Sequence, residues 1–171
     1  MVTEPIAVLL PIPFYAGRMS FQLDPKSLVK PFDLLQPWPL SDGCAQNLTC
    51  FHVLEYLNSQ QRMTFMNECG RVLSVGQSMR VTFYYVTSRQ ASQDPLYHWP
   101  PLSEFSFYYY NAAWRKANGC IGYPITCDFD FTYKLDLEGS VSVRSEEFQR
   151  FATKHYNQSI IKMFGLMTKR S

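Results

Sequence analysis

Apolar residues recur along this chain with two periods, and the changes between them mark its elements. From residue 6 to 12 a continuous apolar run is interrupted by Pro11 and stopped by Pro13, the pattern of a short strand leaving a sheet at its end. Residues 20–24, where Phe21 and Leu23 alternate with polar neighbours, predict a second strand. Pro25, Pro31, Pro37 and Pro39 exclude a long helix and leave room for short extended pieces such as 30–35. Residues 47–54 (NLTCFHVL) lack alternation, as in a central strand covered on both faces. Ser59 is placed to cap a helix over 60–73, in which Met63, Met66, Cys69, Val72 and Leu73 share one side. Residues 78–86 (SMRVTFYYV) predict a strong strand. The stretch 87–101 is too polar and proline-rich for regular structure, and a loop of that length more often covers a site than merely connects elements. A helix is expected over 102–117. Strict alternation over 125–137 places Cys127, Phe129, Phe131, Tyr133 and Leu135 on one face of an edge-type antiparallel strand. A helix over 146–156 and a last strand over 159–168 complete the pattern.

Buried strands separated by a crossover helix favour a largely parallel sheet in an α/β layer fold. The length of 171 residues suits one domain spanning 1–171. With 46% hydrophobic and 18% charged residues the chain is not of the disordered class. A net charge of +2 is too balanced for a dedicated nucleic-acid binder. No apolar run is long enough to span a bilayer, and Glu4 and Pro5 stand where a secretory signal carries Lys or Arg. The expectation is a soluble, cytoplasmic protein with no membrane partner. Five cysteines without a C-x-x-C pair disfavour both a zinc site and a disulfide framework.

Candidate chemistry gathers at predicted strand ends. His52 and Glu55 sit where the central strand gives way to the helix, and in parallel sheets ligands lie outside the carboxyl ends of strands. A satisfied histidine beside a solvated glutamate is the plainer alternative. Asp24, Asp33 and Glu55 would present three carboxylates on one rim if their strands run parallel, suited to ribose hydroxyls or an exocyclic amine. Surface carboxylates preceding loops would look the same. Asp94 and His98 lie four apart in the long loop, the separation of a base and its orienting partner if the loop folds over a ligand. A turn-forming Asp-Pro and a packed His are the alternative. The aromatic stretch from Tyr97 to Trp114 would either stack a planar substrate or fill a core. The cations Arg150, Lys154, Lys162, Lys169 and Arg170 would either meet phosphate or form a solvated face. No hydrolase nucleophile elbow, phosphate-binding loop or zinc-protease helix motif is present.

In order and spacing, FDLLQPWPL, HVLEYL, FMNECGRVLSVGQSMRVTFYY and QDPLYHW resemble the small class I S-adenosylmethionine (SAM)-dependent methyltransferases of the type 11 kind, from Phe21 to Trp114. That resemblance implies an α/β, Rossmann-like, mostly parallel seven-stranded sheet with an antiparallel C-terminal strand, with a truncated N-terminus as one option. It implies S-adenosyl-L-methionine as cofactor, with Asp24 at the ribose, Asp33 and Leu34 near the adenine, and His52 and Glu55 on the methionine side. Asp94 and His98 would face an unidentified methyl acceptor: a small molecule, a glycan or a nucleic acid. In the family a glycine-rich loop follows the first strand; here the chain reads LLPIPFYAG, in which Pro11 and Pro13 fix φ and remove two donors. A catalytically inactive methyltransferase-fold module acting in partner binding is therefore the alternative. The pattern assigns no oligomeric state.

Overall fold

The computed structural model describes the strand backbones Ile6–Leu9 and Arg18–Leu23 and, in full, residues 32–171. The chain forms β1 (Ile6–Leu9), β2 (Arg18–Leu23), β3 (Ala45–Phe51), a single 3-10 turn (Leu54–Tyr56), α1 (Ser59–Val72) and β4 (Leu73–Tyr84). Then follow α2 (Arg89–Gln93), α3 (Phe105–Tyr108), α4 (Ala112–Ala117), β5 (Phe129–Leu137), α5 (Gly139–Ser142), α6 (Glu146–His155) and β6 (Ile160–Lys169). The described strands make one six-stranded sheet in the order β1-β2-β3-β4-β6-β5.

Among the described residues strand direction departs from the expected mostly parallel sheet, and six strands are described where seven were expected. Among the described pairs only β3 and β4 run parallel. β2 is antiparallel to both β1 and β3, and β6 is antiparallel to both β4 and β5. The stretch from Leu9 to Arg18 is shorter than the dozen or so residues a parallel crossover needs, so β1 and β2 pair as a hairpin. The sheet is thus mixed, with helices added: an α/β arrangement whose C-terminal strand is antiparallel, as expected. The edge position of β5 also follows the alternation read in 125–137.

Helix α1 starts one residue earlier than its periodicity suggests, because Asn58 rather than Ser59 is the cap. The Asn58 side chain accepts from the Gln61 N–H at 2.9 Å while the Gln61 side chain accepts from the Asn58 N–H at 2.9 Å. The helix buries Phe65, Met66, Cys69 and Val72 against a core that includes Leu48, Cys50, Met79, Val81, Phe83, Met163 and Met167. Gly70, an apparent weakness in the helix, has a packing reason: a Cβ there would stand 2.5 Å from the Cys127 Cβ.

The helix expected over 102–117 divides in two. Asn111 turns the chain between α3 and α4, its side chain accepting from the Trp114 N–H and donating to the Phe129 carbonyl, both at 2.9 Å. The aromatic stretch divides: Phe107 and Tyr110 are buried in the core while Trp99 and Phe105 are exposed, and Phe107 stacks between Phe83 and Phe131 with centroids 5.1 and 4.9 Å away. The predicted extended piece at 30–35 is a turn where it is described, closed by the Gln36 N–H on the Asp33 carbonyl. Several C-terminal cations are engaged within the fold. Arg170 pairs with Asp128 and Asp130, and Lys169 donates to the Leu73 carbonyl.

The proline-rich loop is fastened to the end of α1 by Glu68 and Arg71. Glu68 accepts from the Trp38 N–H at 2.9 Å and takes two bonds from Arg71, which in turn reaches the carbonyls of Trp38 and Leu40. The Arg71 bond, above all, holds the Glu68 carboxyl below its ordinary value. A lowered carboxyl contributes stability that is complete above the unfolded group's pKa and is lost as pH falls through the folded one. Glu68→Gln is expected to cost about 1–3 kcal/mol at neutral pH. In urea unfolding at neutral and at strongly acidic pH, the difference from wild type should vanish on the acid side.

Among the described residues no helix is long and apolar enough to cross a membrane, and no group of His, Cys, Asp and Glu has the arrangement of a metal site.

Candidate functional site

The carboxyl ends of the parallel pair β3 and β4 build the site. The β3 ladder closes with the His52 N–H donating to the Thr82 carbonyl at 2.9 Å. His52 then takes a φ of 50°, which turns the chain out of the sheet into the 3-10 turn at Leu54–Tyr56. Left-handed backbone at a non-glycine residue is uncommon and costs free energy, so the surrounding bonds must hold it. One such bond is that between His52 Nδ1 and Glu55 Oε1, 2.7 Å long. The same carboxylate oxygen accepts from the Tyr84 N–H at 3.0 Å and so caps the end of β4. His52 and Glu55 are 8% and 3% exposed, and neither His52 Nε2 nor Glu55 Oε2 has a partner among the described residues.

Outside this pair lies a cleft of about 550 Å³, lined by Phe51, His52, Tyr56, Tyr84, Arg89, Gln90, Gln93, Asp94, Pro95 and Tyr97. Its wall is aromatic. The His52 ring has Phe51 edge-on at 4.4 Å and Tyr84 tilted at 4.5 Å, and Tyr97 meets Tyr56 at 5.0 Å. Lys162 stands 5.2 Å above the Tyr84 ring, at cation–π distance. Burial first, then the Glu55 carboxylate and Tyr56, push the Tyr97 phenol far above its ordinary value, which leaves it an O–H donor at any working pH.

The far wall comes from the long loop. Ser88 caps α2 by accepting from the Ala91 N–H, and α2 presents Arg89, Gln90 and Gln93 to the cleft. The loop is tied down behind the site by two straps. The His98 N–H donates to the Glu55 carbonyl, and the buried Arg62 guanidinium donates to the carbonyls of Leu54, His98 and Pro100.

Of the residues singled out in the sequence, His52, Glu55 and Asp94 come together here. Asp94 lines the cleft, although its Oδ1 accepts from the Leu96 N–H at 2.9 Å in a turn. The expected Asp94–His98 pairing is not made. α2 ends at Asp94, so the four-residue spacing does not lie on a helix, and His98 belongs instead to a small cavity shared with Glu55 and Arg62. Asp33 and Leu34 do not line the cleft. Asp33 Oδ1 accepts from the Leu35 N–H, while Leu34 is buried in the core and its carbonyl accepts from the Trp38 indole.

Asp24, like Pro11, Pro13 and Gly17, lies outside the described residues. Its strand corrects the premise of a shared carboxylate rim: β2 is antiparallel to β3 and its last residue, Leu23, pairs with Ala45 at the end of β3 remote from His52. The sequence reading missed Tyr84 and the polar face of α2, and it named Tyr97 only as the first ring of the aromatic stretch, with stacking on a planar substrate as one of two readings. Their only sequence signals are the doubled tyrosine closing β4 and the length of the loop after it.

No protein-family model matches the chain, and the comparison with curated proteins gives no match. Solved structures do resemble it. A SAM dependent methyltransferase from Archaeoglobus fulgidus aligns with a TM-score of 0.54 at 13% identity, over 85% of this chain and 68% of that one. The fold is that of the SAM-dependent methyltransferases. Two further structures align less closely. A complex of the Haloferax volcanii Trm112 methyltransferase activator with a protein described as a methyltransferase gives 0.46 at 11% identity, over 83% of this chain and 61% of that one. A protein described as a methyltransferase from Bacillus halodurans gives 0.44 at 11% identity, over 82% and 71%. Within the methyltransferase fold of this chain, the described cleft occupies the carboxyl rim of the parallel strands, the side on which open α/β sheets hold ligands.

Proposed function

We propose that the chain transfers a methyl group from S-adenosylmethionine to an acceptor held in the cleft beside His52. The observation that carries this reading is the cleft at the carboxyl rim of β3 and β4 on a methyltransferase fold, with a buried His–Glu pair at its floor. Its volume of about 550 Å³ is of the size that holds cofactor-sized ligands.

The residues fit such a ligand in kind. Phe51, Tyr84 and Tyr97 offer rings for a planar base, Arg89 a cation for a carboxylate, and Asp94 an acceptor for hydroxyls or an ammonium. Among the described lining residues none is glycine, so the described part of the fit rests on side chains. When bound, the cofactor supplies a methyl group already activated on a sulfonium. The chain's own part is to orient the two molecules, to exclude water with the α2 wall, and to manage the acceptor's proton.

Calorimetry with S-adenosylhomocysteine tests the reading. Saturable heat at micromolar to high-micromolar concentration is expected, weakened about fivefold or more in Tyr84→Ala if a stacked ring contributes about 1–3 kcal/mol. A titration without heat removes it.

A second reading has one observation in its favour. With β2 antiparallel beside β3, the sheet loses the parallel neighbour that would complete a crevice at the reversal of strand order. A module that keeps the fold but binds a protein partner in place of the cofactor accounts for that, and it predicts no heat with S-adenosylhomocysteine.

A further inference from the structure

His52 is set apart by facts that do not depend on one another. Its φ of 50° lies in the left-handed region. It is 8% exposed yet lines the cleft. Its Nδ1 is 2.7 Å from Glu55 Oε1, while its Nε2 and the second Glu55 oxygen are buried without a partner among the described residues. A buried polar atom left unbonded is costly; His52 borders the cleft, while Glu55 borders the small cavity behind it.

A base at this ring requires Nδ1 to carry the hydrogen and donate it to Glu55 Oε1, the oxygen that also accepts the Tyr84 N–H. Nε2 is then a bare lone pair. A nitrogen lone pair whose ring is fixed by a carboxylate behind it is the arrangement of a general base and its orienting group. The rings of Phe51 and Tyr84, 4.4 and 4.5 Å from the imidazole, bound its surroundings with flat apolar surface.

We propose that His52 is the general base for an aromatic hydroxyl acceptor, with Glu55 as its positioning residue; this rests on the methyl-transfer reading above. A hydroxyl is the class that needs such a base, since its oxygen must lose a proton as it is methylated, whereas an amine lone pair attacks unaided. The proton passes from the acceptor O–H to Nε2. The oxygen's electron pair forms the new O–C bond, the S–C bond breaks with its pair on sulfur, and a neutral thioether leaves. The imidazolium so formed faces the Glu55 carboxylate. Nε2 is buried, so an acceptor reaches it only where the side chains around the imidazole give way.

The experiment uses 4-nitrophenol, whose anion absorbs visible light, titrated into the full chain with saturating S-adenosylhomocysteine, whose binding heat is recorded in parallel. At about pH 5.5, where the free phenol is almost wholly protonated, the bound probe is expected to show the phenolate band. His52→Gln should reduce that band at least tenfold, with a far-UV circular dichroism spectrum and a cooperative thermal transition like those of wild type showing that the variant is folded. Ring-nitrogen NMR should give the Nδ1–H tautomer in wild type and a mixture in Glu55→Gln, a change that a packing role would not produce. Heat without a phenolate band, as when ordered water alone fills the site, overturns the base assignment and spares the methyl-transfer reading. A band that persists in His52→Gln also overturns it. Absence of heat overturns the methyl-transfer reading itself.

Discussion

Arg62→Met is expected to destabilise the protein by about 3 kcal/mol or more, among the largest effects of any single change outside the apolar core. The guanidinium is 6% exposed and donates to the carbonyls of Leu54, His98 and Pro100. Burial draws its pKa below the ordinary arginine value, with Tyr110 and Glu55 opposing, yet a guanidinium stays charged in any working range. Methionine keeps an apolar stem of similar reach and removes the donors together. At Leu54 the buried carbonyl loses its charged donor and keeps only the Leu57 N–H at 3.3 Å; at His98 and Pro100 water recovers part of the loss, because those bonds are only part-buried. Urea unfolding should show a lower midpoint with an unchanged slope. Hydrogen exchange should quicken first at His98, whose N–H donates to the Glu55 carbonyl, because the strap that holds the loop against α1 is gone. A variant as stable as wild type would mean that the loop is held by its aromatic contacts alone.

Phe83→Ala should cost about 3–5 kcal/mol, the range for emptying an aromatic site in a packed core. Phe83 is fully buried on β4 and stacks on Phe107 at 5.1 Å, which itself stacks on Phe131 at 4.9 Å. The cavity has little freedom to collapse. Across the sheet, a Cβ on Gly165 would already stand 2.6 Å from Val81 and 2.7 Å from Phe131, so this layer is packed to its limit. Since whole domains are stable by only about 5–15 kcal/mol, the variant should sit close to unfolding at ambient temperature, read as a steep fall in melting temperature. Phe83→Leu, which retains most of the volume, should lose less than half as much.

What the sequence made legible was set by local periodicity. The helical spacing of Met66, Cys69 and Val72 gave α1, and the strict alternation from Cys127 to Leu135 gave β5 at an edge. Strand direction was not legible, because Phe21 and Leu23 alternate in the same way whether β2 runs with β3 or against it; the hairpin to β1 decides it. The aromatic run before Trp114 concealed a break, since helical propensity does not register that Asn111 serves better as a cap bound to Phe129. In the site, the position of His52 and Glu55 at a strand end was legible, but their bond to one another and the burial of Glu55 were not. Asp94 and His98 share a suggestive spacing, but the Asp94 carboxylate closes its own turn on Leu96. Tyr84 and Tyr97 reach the cleft through tertiary packing, which no local pattern encodes.

The most direct measurement is a crystal structure of the full chain soaked with S-adenosylhomocysteine. The account predicts ligand density in the cleft between Tyr84, Arg89 and Asp94, with His52 still bonded to Glu55 at its floor. A cleft that stays empty at saturating ligand, or ligand bound at the opposite end of the sheet near Ala45, would contradict it.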